Sequence, residues 1–380
     1  MRRLLVLMLG AFVAQTTEYL PIGLLPHIAA DLGVSEAKTG ALVTGYAWVA
    51  ALTAIPFTIA AQKVPRRVLF LGVLGIISSA NALAAFATTF PVLIFLRLVT
   101  ALTHGVFWSM IAAYAVRLYP DMPASRATAW ALGGISLALV VGVPIATAIG
   151  QWLGWRFAFS AYFLLGGMTL WLGYRYLPKL ESESSPRQQG PIQGTAILYI
   201  AAFVSMLAVT AHFVGYTYVV PILKGSTHLP EAHYALVLMV FGIAGATGTW
   251  LAGWLSLKPF VMALLATIGV ACSQAAILFF NSSEVLTWLE MALWGMSIAV
   301  LIVGLQSWVI EIAPDKADVA SSLYVAAFNL GIGSGALFGG IALSKAGSDA
   351  VLMTGSLLGG LASLIFIIPW KIHNRRKATV

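Results

Sequence analysis

The chain has 380 residues, of which 60% are hydrophobic and only 9% charged, with a formal net charge of +8. A soluble domain needs far more charge on its surface, so that class is excluded. Runs of about 20 or more apolar residues, enough to cross a bilayer as a helix, recur from Leu4 to Trp370.

Taken in chain order, the apolar runs predict twelve spans, near 4–29, 37–61, 68–88, 91–118, 127–150, 157–177, 195–222, 233–256, 259–280, 285–312, 317–343 and 350–370. The fold expected is an all-α polytopic membrane protein with two six-helix bundles. The first run follows Arg2-Arg3 as a signal peptide would. It continues through Leu25 without a small-residue cleavage site, so it is expected to stay as the first span. One long polar connection, Pro178 to Gly194, divides the spans six and six. The domain organisation expected is therefore a bundle over 1–177, a linker over 178–194 and a bundle over 195–380.

The basic charge does not point to nucleic acid. Of the 21 Lys and Arg residues, Lys38, Arg156, Lys224 and Lys345 fall in odd-numbered connections and Arg97 lies inside a span. The rest fall at the termini and in even-numbered connections. This bias follows the positive-inside rule and predicts both termini and the linker in the cytoplasm. The single cysteine, Cys272, excludes an intrachain disulfide and a thiolate metal cluster. There is no G-x-x-x-x-G-K-[ST] motif and no zinc motif, so no cofactor is predicted. An ion or proton gradient is left as the energy source for any uphill transport.

The halves look duplicated. Ala14-Gln15-Thr16-Thr17-Glu18-Tyr19 lies over Ala208-Val209-Thr210-Ala211-His212-Phe213, and the same offset lays Tyr119-Pro120-Asp121 over Ala313-Pro314-Asp315. Transporters commonly carry such repeats. Glycines also gather in spans 5 (Gly133, Gly134, Gly142, Gly150) and 11 (Gly331, Gly333, Gly335, Gly339, Gly340). Small residues let helices approach closely, for packing alone or for sliding and bending.

Ionisable groups inside spans are costly and mark function by default. Glu18 lies beyond the middle of span 1 in a polar island with Thr16, Thr17 and Tyr19, where a carboxyl can take and release a proton. Arg97 lies a short way into span 4 from the same outer half; it keeps its proton and needs a partner or water. His104 in span 4 and His212, at the repeat position of Glu18, can titrate or hydrogen-bond a hydroxyl. These four are the candidate proton-coupling residues, each with a plain packing role as the competing explanation. Glu290, near the outer end of span 10, is expected to be solvated. The candidate substrate-binding residues are Tyr46, Trp48, Phe107, Trp108, Tyr216, Gln306, Tyr324 and Asn329. Tyr114 and Tyr218 are also near mid-span. Aromatic faces with a few amides and hydroxyls suit a neutral or amphipathic small molecule, although many of them also suit ordinary helix packing.

Specific stretches carry a family resemblance. They are Thr16 to Leu25 (TTEYLPIGLL), Tyr46 to Leu52 (YAWVAAL), His104 to Ser109 (HGVFWS), Thr210 to Phe213 (TAHF) and Phe328 to Leu337 (FNLGIGSGAL). With these the chain resembles the major facilitator superfamily, in its twelve-span drug:proton antiporter group, and within it bacterial sugar efflux transporters that export arabinose and isopropyl-thiogalactoside. The family's loop between spans 2 and 3 reads G-x-x-x-D-R-x-G-R-R. Here Gln62 stands at the Asp, while Arg66 and Arg67 keep the basic pair. The resemblance makes that loop a conformational latch, weaker here for want of the Asp. It links Arg97 to proton coupling, and it makes Gly142-Val143-Pro144 the conformational motif of span 5, with Val143 where a second glycine is usual.

The function these readings favour is export of a sugar or sugar-like molecule across a bacterial inner membrane by proton antiport. Protons, the small molecule and the lipid bilayer are the expected partners, and the chain is expected to be a monomer. A multidrug:proton antiporter of the same fold, a proton-coupled uptake symporter, and a membrane enzyme or sensor are the alternatives; the last would need room for a domain that the chain lacks.

Overall fold

A computed structural model describes residues 1–61, 64–122, 124–179, 196–254, 257–280, 283–313 and 317–366. Gln62 and Lys63 of the basic loop, most of the predicted linker, the repeat match at Pro314-Asp315, the Ser109 side chain and the basic residues after Trp370 lie outside the described residues. Ten helices among the described residues are long and apolar enough to cross a membrane. All the secondary structure among the described residues is helical, because a backbone in hydrocarbon must satisfy its own hydrogen bonds.

Contacts divide the chain into two compact units, Met1–Ser35 with Ala41–Gln188, and Glu36–Gly40 with Gln189–Val380. Unit 1 holds α1 (Arg2–Asp31), α3 (Ala41–Ala60), α4 (Arg66–Ala85), α5 (Phe90–Leu118), α6 (Ala124–Leu137), α7 (Val143–Leu153) and α8 (Trp155–Tyr176). Unit 2 holds the short α2 (Glu36–Thr39), then α9 (Ala196–Tyr216), α10 (Val219–Ser226), α11 (Tyr234–Trp254), α12 (Pro259–Phe280), α13 (Glu284–Ile312) and α14 (Ala317–Ile365).

Inside each unit the same pairings recur. In unit 1, α1 packs on α6, α3 on α5, and α4 on both α5 and α8. In unit 2, α9 packs on α14, α11 on α13, and α12 on both α13 and α14. The glycines of spans 5 and 11 serve the first pairing in each case. A Cβ at Gly134 would run into the Met8 carbonyl and Phe12 nitrogen of α1. One at Gly331 or Gly335 would run into the α9 carbonyls of Met206 or Thr210. These helices therefore meet backbone to backbone, as small residues allow.

Five spans differ from their predicted outlines, each for a local reason. Span 2 begins as α2, and Gly40 separates it from α3. Span 5 is α6 and α7 joined by a π turn at Ala138–Gly142, two residues ahead of Pro144. Proline has no N–H for the carbonyl four residues back, and π turns absorb such interruptions. Span 7 breaks into α9 and α10 at Thr217-Tyr218, where the Tyr218 N–H tightens onto the Gly215 carbonyl at 3.0 Å. Pro221 is four residues after Thr217 and its ring crowds that carbonyl. Spans 11 and 12 run together as α14, interrupted at Ala346 and Gly347, with Gly347 at φ 76°.

Filling one close helix approach tests the packing. Gly134→Val should destabilise the protein by about 1–3 kcal/mol. Gly72→Ala, inside α4 where an added Cβ meets nothing within 4 Å, should not lower the thermal unfolding temperature in detergent and should raise it slightly through helix propensity.

Candidate functional site

Helices α3, α4 and α5 of unit 1 gather around the middle of α1. Pro21 has no N–H to give the carbonyl of Thr17, one turn earlier. Arg97 of α5 fills the place: one guanidinium nitrogen donates to the Thr17 carbonyl at 2.6 Å and another to the Glu18 carbonyl at 2.7 Å. Asn81 of α4 donates to the Thr17 hydroxyl at 2.9 Å. The Arg97 guanidinium also lies over the Tyr46 ring of α3, 4.5 Å from its centroid. Arg97 is only 2% exposed. A charge so buried is tolerable because two carbonyls and an aromatic face replace its water. Its side chain serves the main chain of Glu18 instead of forming a direct pair with the carboxylate.

The Glu18 carboxyl is left to face other partners. Gln15, one turn before it on α1, donates to its Oε2 at 3.3 Å. The His104 Nδ1 lies 3.6 Å from the same oxygen, and the Tyr46 hydroxyl lies 3.2 Å from that Nδ1. Arg97 and His104 are seven residues apart and so share one face of α5. The approach of α3 to α5 sets the Tyr46–His104 distance: a Cβ at Gly105 would overlap Ala54 of α3. Trp108, one turn beyond His104, meets its ring edge-on at 6.2 Å.

This arrangement can hold a proton in more than one way. With a proton on Nδ1, His104 faces the Glu18 carboxylate. Without it, Nδ1 accepts from the Tyr46 hydroxyl, and the ring's tautomer follows the proton. The predicted conformational pair lies close by. The Tyr162 hydroxyl donates to the Gly142 carbonyl at 2.8 Å, at the end of the π turn. A Cβ at Gly142 would strike the hydroxyl of Thr16, two residues before Glu18. Arg67 donates to the Tyr174 carbonyl at 2.5 Å, fastening the start of α4 to the end of α8, and Arg66 is half-buried beside it.

The other predicted residues lie elsewhere. In unit 2 the Trp294 indole N–H donates to His212 Nδ1 at 3.0 Å. The imidazole stacks on Tyr216 at 5.1 Å, and Phe213, Phe241 and Trp294 complete an aromatic box around it. Gln274 of α12 donates to the Ala211 carbonyl at 3.0 Å. Ala211 is the repeat counterpart of Thr17, so both units fasten the same carbonyl from a neighbouring helix. Phe107 is buried and stacks on Phe70. The Tyr324 hydroxyl donates to the Ile302 carbonyl at 3.3 Å, and Asn329 bonds back to Val325. Trp48 and Gln306 are exposed. Glu290, expected in solvent, is instead 7% exposed, with Oε2 lacking a hydrogen-bond partner among the described residues. Gln15, Asn81, Gln274 and Trp294 were not anticipated. The amides among them had a signal, a lone carboxamide inside an apolar run.

The profile of the Major Facilitator Superfamily matches residues 7–336. The chain is 35% identical over 371 residues to a protein of Helicobacter acinonychis named probable sugar efflux transporter, covering 96% of this chain and 94% of the relative. It is 32% identical over 379 residues to one of Pasteurella multocida with the same name, covering 97% and 92%. Among solved structures, a mutant of the nucleoside transporter NupG superposes with a TM-score of 0.81 at 13% identity, over 97% of this chain and all of that one. A D-xylose-proton symporter superposes with a TM-score of 0.76 at 16% identity, over 96% of each chain. These two share the fold.

The junction of Arg97 with the Pro21 gap is testable by a double-mutant cycle. Arg97→Met orphans the Thr17 carbonyl, while Pro21→Ala supplies the missing N–H. The cost of Arg97→Met should fall by at least about 0.5 kcal/mol in the Pro21→Ala background, measured by thermal unfolding.

Proposed function

Because the chain belongs to the Major Facilitator Superfamily, a family of multi-pass membrane transporters, we propose that it exports a sugar or sugar-like molecule in exchange for protons. The relatives named probable sugar efflux transporters support the substrate class and the direction. The observation that carries the proton is the Glu18–His104–Tyr46 group, a buried carboxyl, imidazole and phenol held within reach of one another.

In this mechanism Glu18, with His104 beside it, holds the coupled proton. The deprotonated carboxylate and the Tyr46 hydroxyl receive the hydroxyls of the sugar, and Trp108 offers an apolar face to its ring. Proton and sugar then compete for Glu18, so that each drives the other off on opposite sides of the membrane. Arg97 is a positioning residue that fixes the backbone of Thr17 and Glu18. The π turn beside Gly142 and Pro144 is where span 5 bends as the carrier changes state, and Arg66 and Arg67 steady the loop between spans 2 and 3. His212 and Tyr216 perform the corresponding binding in the second half.

The proposal also assigns topology. Twelve spans are supported by the break inside α14 at Ala346-Gly347 and by the 20-residue α3, which supplement the ten long apolar helices. Bundles over 1–177 and 195–380 with a linker over 178–194, cytoplasmic termini, a monomer and a bacterial inner membrane complete the assignment. The charge bias and the bacterial relatives support the termini and the membrane.

Proteoliposomes holding a pH-sensitive dye test the function. With a proton gradient imposed, arabinose or isopropyl-thiogalactoside should trigger proton movement out of the acidic side, and cationic drugs should not. Glu18→Gln should abolish that movement while sugar binding persists. A response to drugs and not sugars would reject the substrate class. Undiminished coupling in Glu18→Gln would reject the proton site.

A further inference from the structure

The end of unit 1 at which the chain begins gathers positive charge around tyrosines. The Arg2 guanidinium lies 5.8 Å from the centroid of the Tyr176 ring, and the Arg175 guanidinium lies 5.8 Å from the same centroid. Arg67 lies over the Tyr174 ring at 5.2 Å. The terminal ammonium donates to the Tyr119 hydroxyl at 2.6 Å. Like charges gathered at one ring repel, weakly in water, and an anion beside them relieves that repulsion. Among the described residues no carboxylate touches Arg2, Arg67 or Arg175, and the ion pairs recorded involve Asp31, Glu18 and Glu284 elsewhere.

The surface beside this cluster has the outline of a lipid. Leu164, Met168 and Trp171 follow one another along α8 at helical spacing and end one turn short of Arg175. They are 67%, 48% and 63% exposed, an apolar stripe that suits an acyl chain. Tyr174, 71% exposed, marks the headgroup level, where tyrosines gather in membrane proteins. A free phosphate would be drawn by the arginines but would have no use for the stripe.

We propose that this end of unit 1 binds one anionic phospholipid, its phosphate between Arg2 and Arg175 on the Tyr176 ring and an acyl chain along Leu164, Met168 and Trp171. Arg67 adds to the field that holds the headgroup, and Arg guanidiniums suit phosphate oxygens through paired N–H donors.

Native mass spectrometry of the full chain in mild detergent tests the site, with phosphatidylglycerol, phosphatidylcholine and inorganic phosphate as separate probes. The wild type should retain one phosphatidylglycerol at concentrations where phosphatidylcholine is lost. Arg2→Gln with Arg175→Gln should weaken that binding about tenfold, and Arg2→Lys with Arg175→Lys should keep most of it. Unchanged thermal unfolding in the glutamine variant would show that the fold is intact. If that variant unfolds early, Trp171→Ser is the second test and should lower phosphatidylglycerol retention with the arginines in place. Equal retention of the two lipids, retention indifferent to both sets of substitutions, or saturation by inorganic phosphate with no preference for phosphatidylglycerol would each overturn the site.

Discussion

A proline that leaves one carbonyl without a partner, and an arginine that takes its place, organise the polar interior of unit 1. The Thr17 carbonyl lacks an N–H because Pro21 has none to give. Arg97 meets it at 2.6 Å and the next carbonyl at 2.7 Å. An orphaned carbonyl and an unhydrated guanidinium would each be costly in an apolar bundle, and each offsets part of the cost of the other. The pairing fixes the rotation of α1 against α5. That rotation is what lets Glu18 Oε2 stand 3.6 Å from His104 and lets Tyr46 bridge to the same nitrogen. Arg97 does this without consuming the Glu18 carboxyl, which stays available for a proton or a ligand.

The second unit repeats the plan with different chemistry. Gln274 fastens Ala211, the counterpart of Thr17, and His212 stands at the counterpart of Glu18. Its imidazole is enclosed by rings and held by the Trp294 N–H. The two units thus share a fastening point, while the titratable group beside it is a carboxyl in one and an imidazole in the other. The glycine stripes of spans 5 and 11 belong to the same frame, since one lays its helix against α1 and the other against α9.

The apolar runs made the helices legible, because crossing hydrocarbon imposes length and composition on every span. Glu18, Arg97 and His104 were legible for the same reason, being charges where charges are expensive. Their grouping was not, because helices apolar on every side show no face from which to read rotation. Trp48 and Tyr46 are two residues apart on α3, yet Tyr46 is buried against His104 and Trp48 is exposed. Asn81 and Gln274 escaped a search for charge because a carboxamide carries none, although each stands inside an apolar run. Pro21 and Pro221 were visible in the sequence. One opened a carbonyl to Arg97 and the other broke span 7, and only the neighbouring helices decide between such outcomes.

The central claim is that proton and sugar compete for Glu18, and proton release on binding measures it directly. Purified protein in weakly buffered detergent, with a pH indicator, would receive saturating arabinose or isopropyl-thiogalactoside. Competition predicts protons released on binding, an apparent sugar affinity that falls as pH is lowered by about 5–150-fold in all, and neither effect in Glu18→Gln. Sugar binding without proton release, or with an affinity indifferent to pH in the wild type, would contradict it.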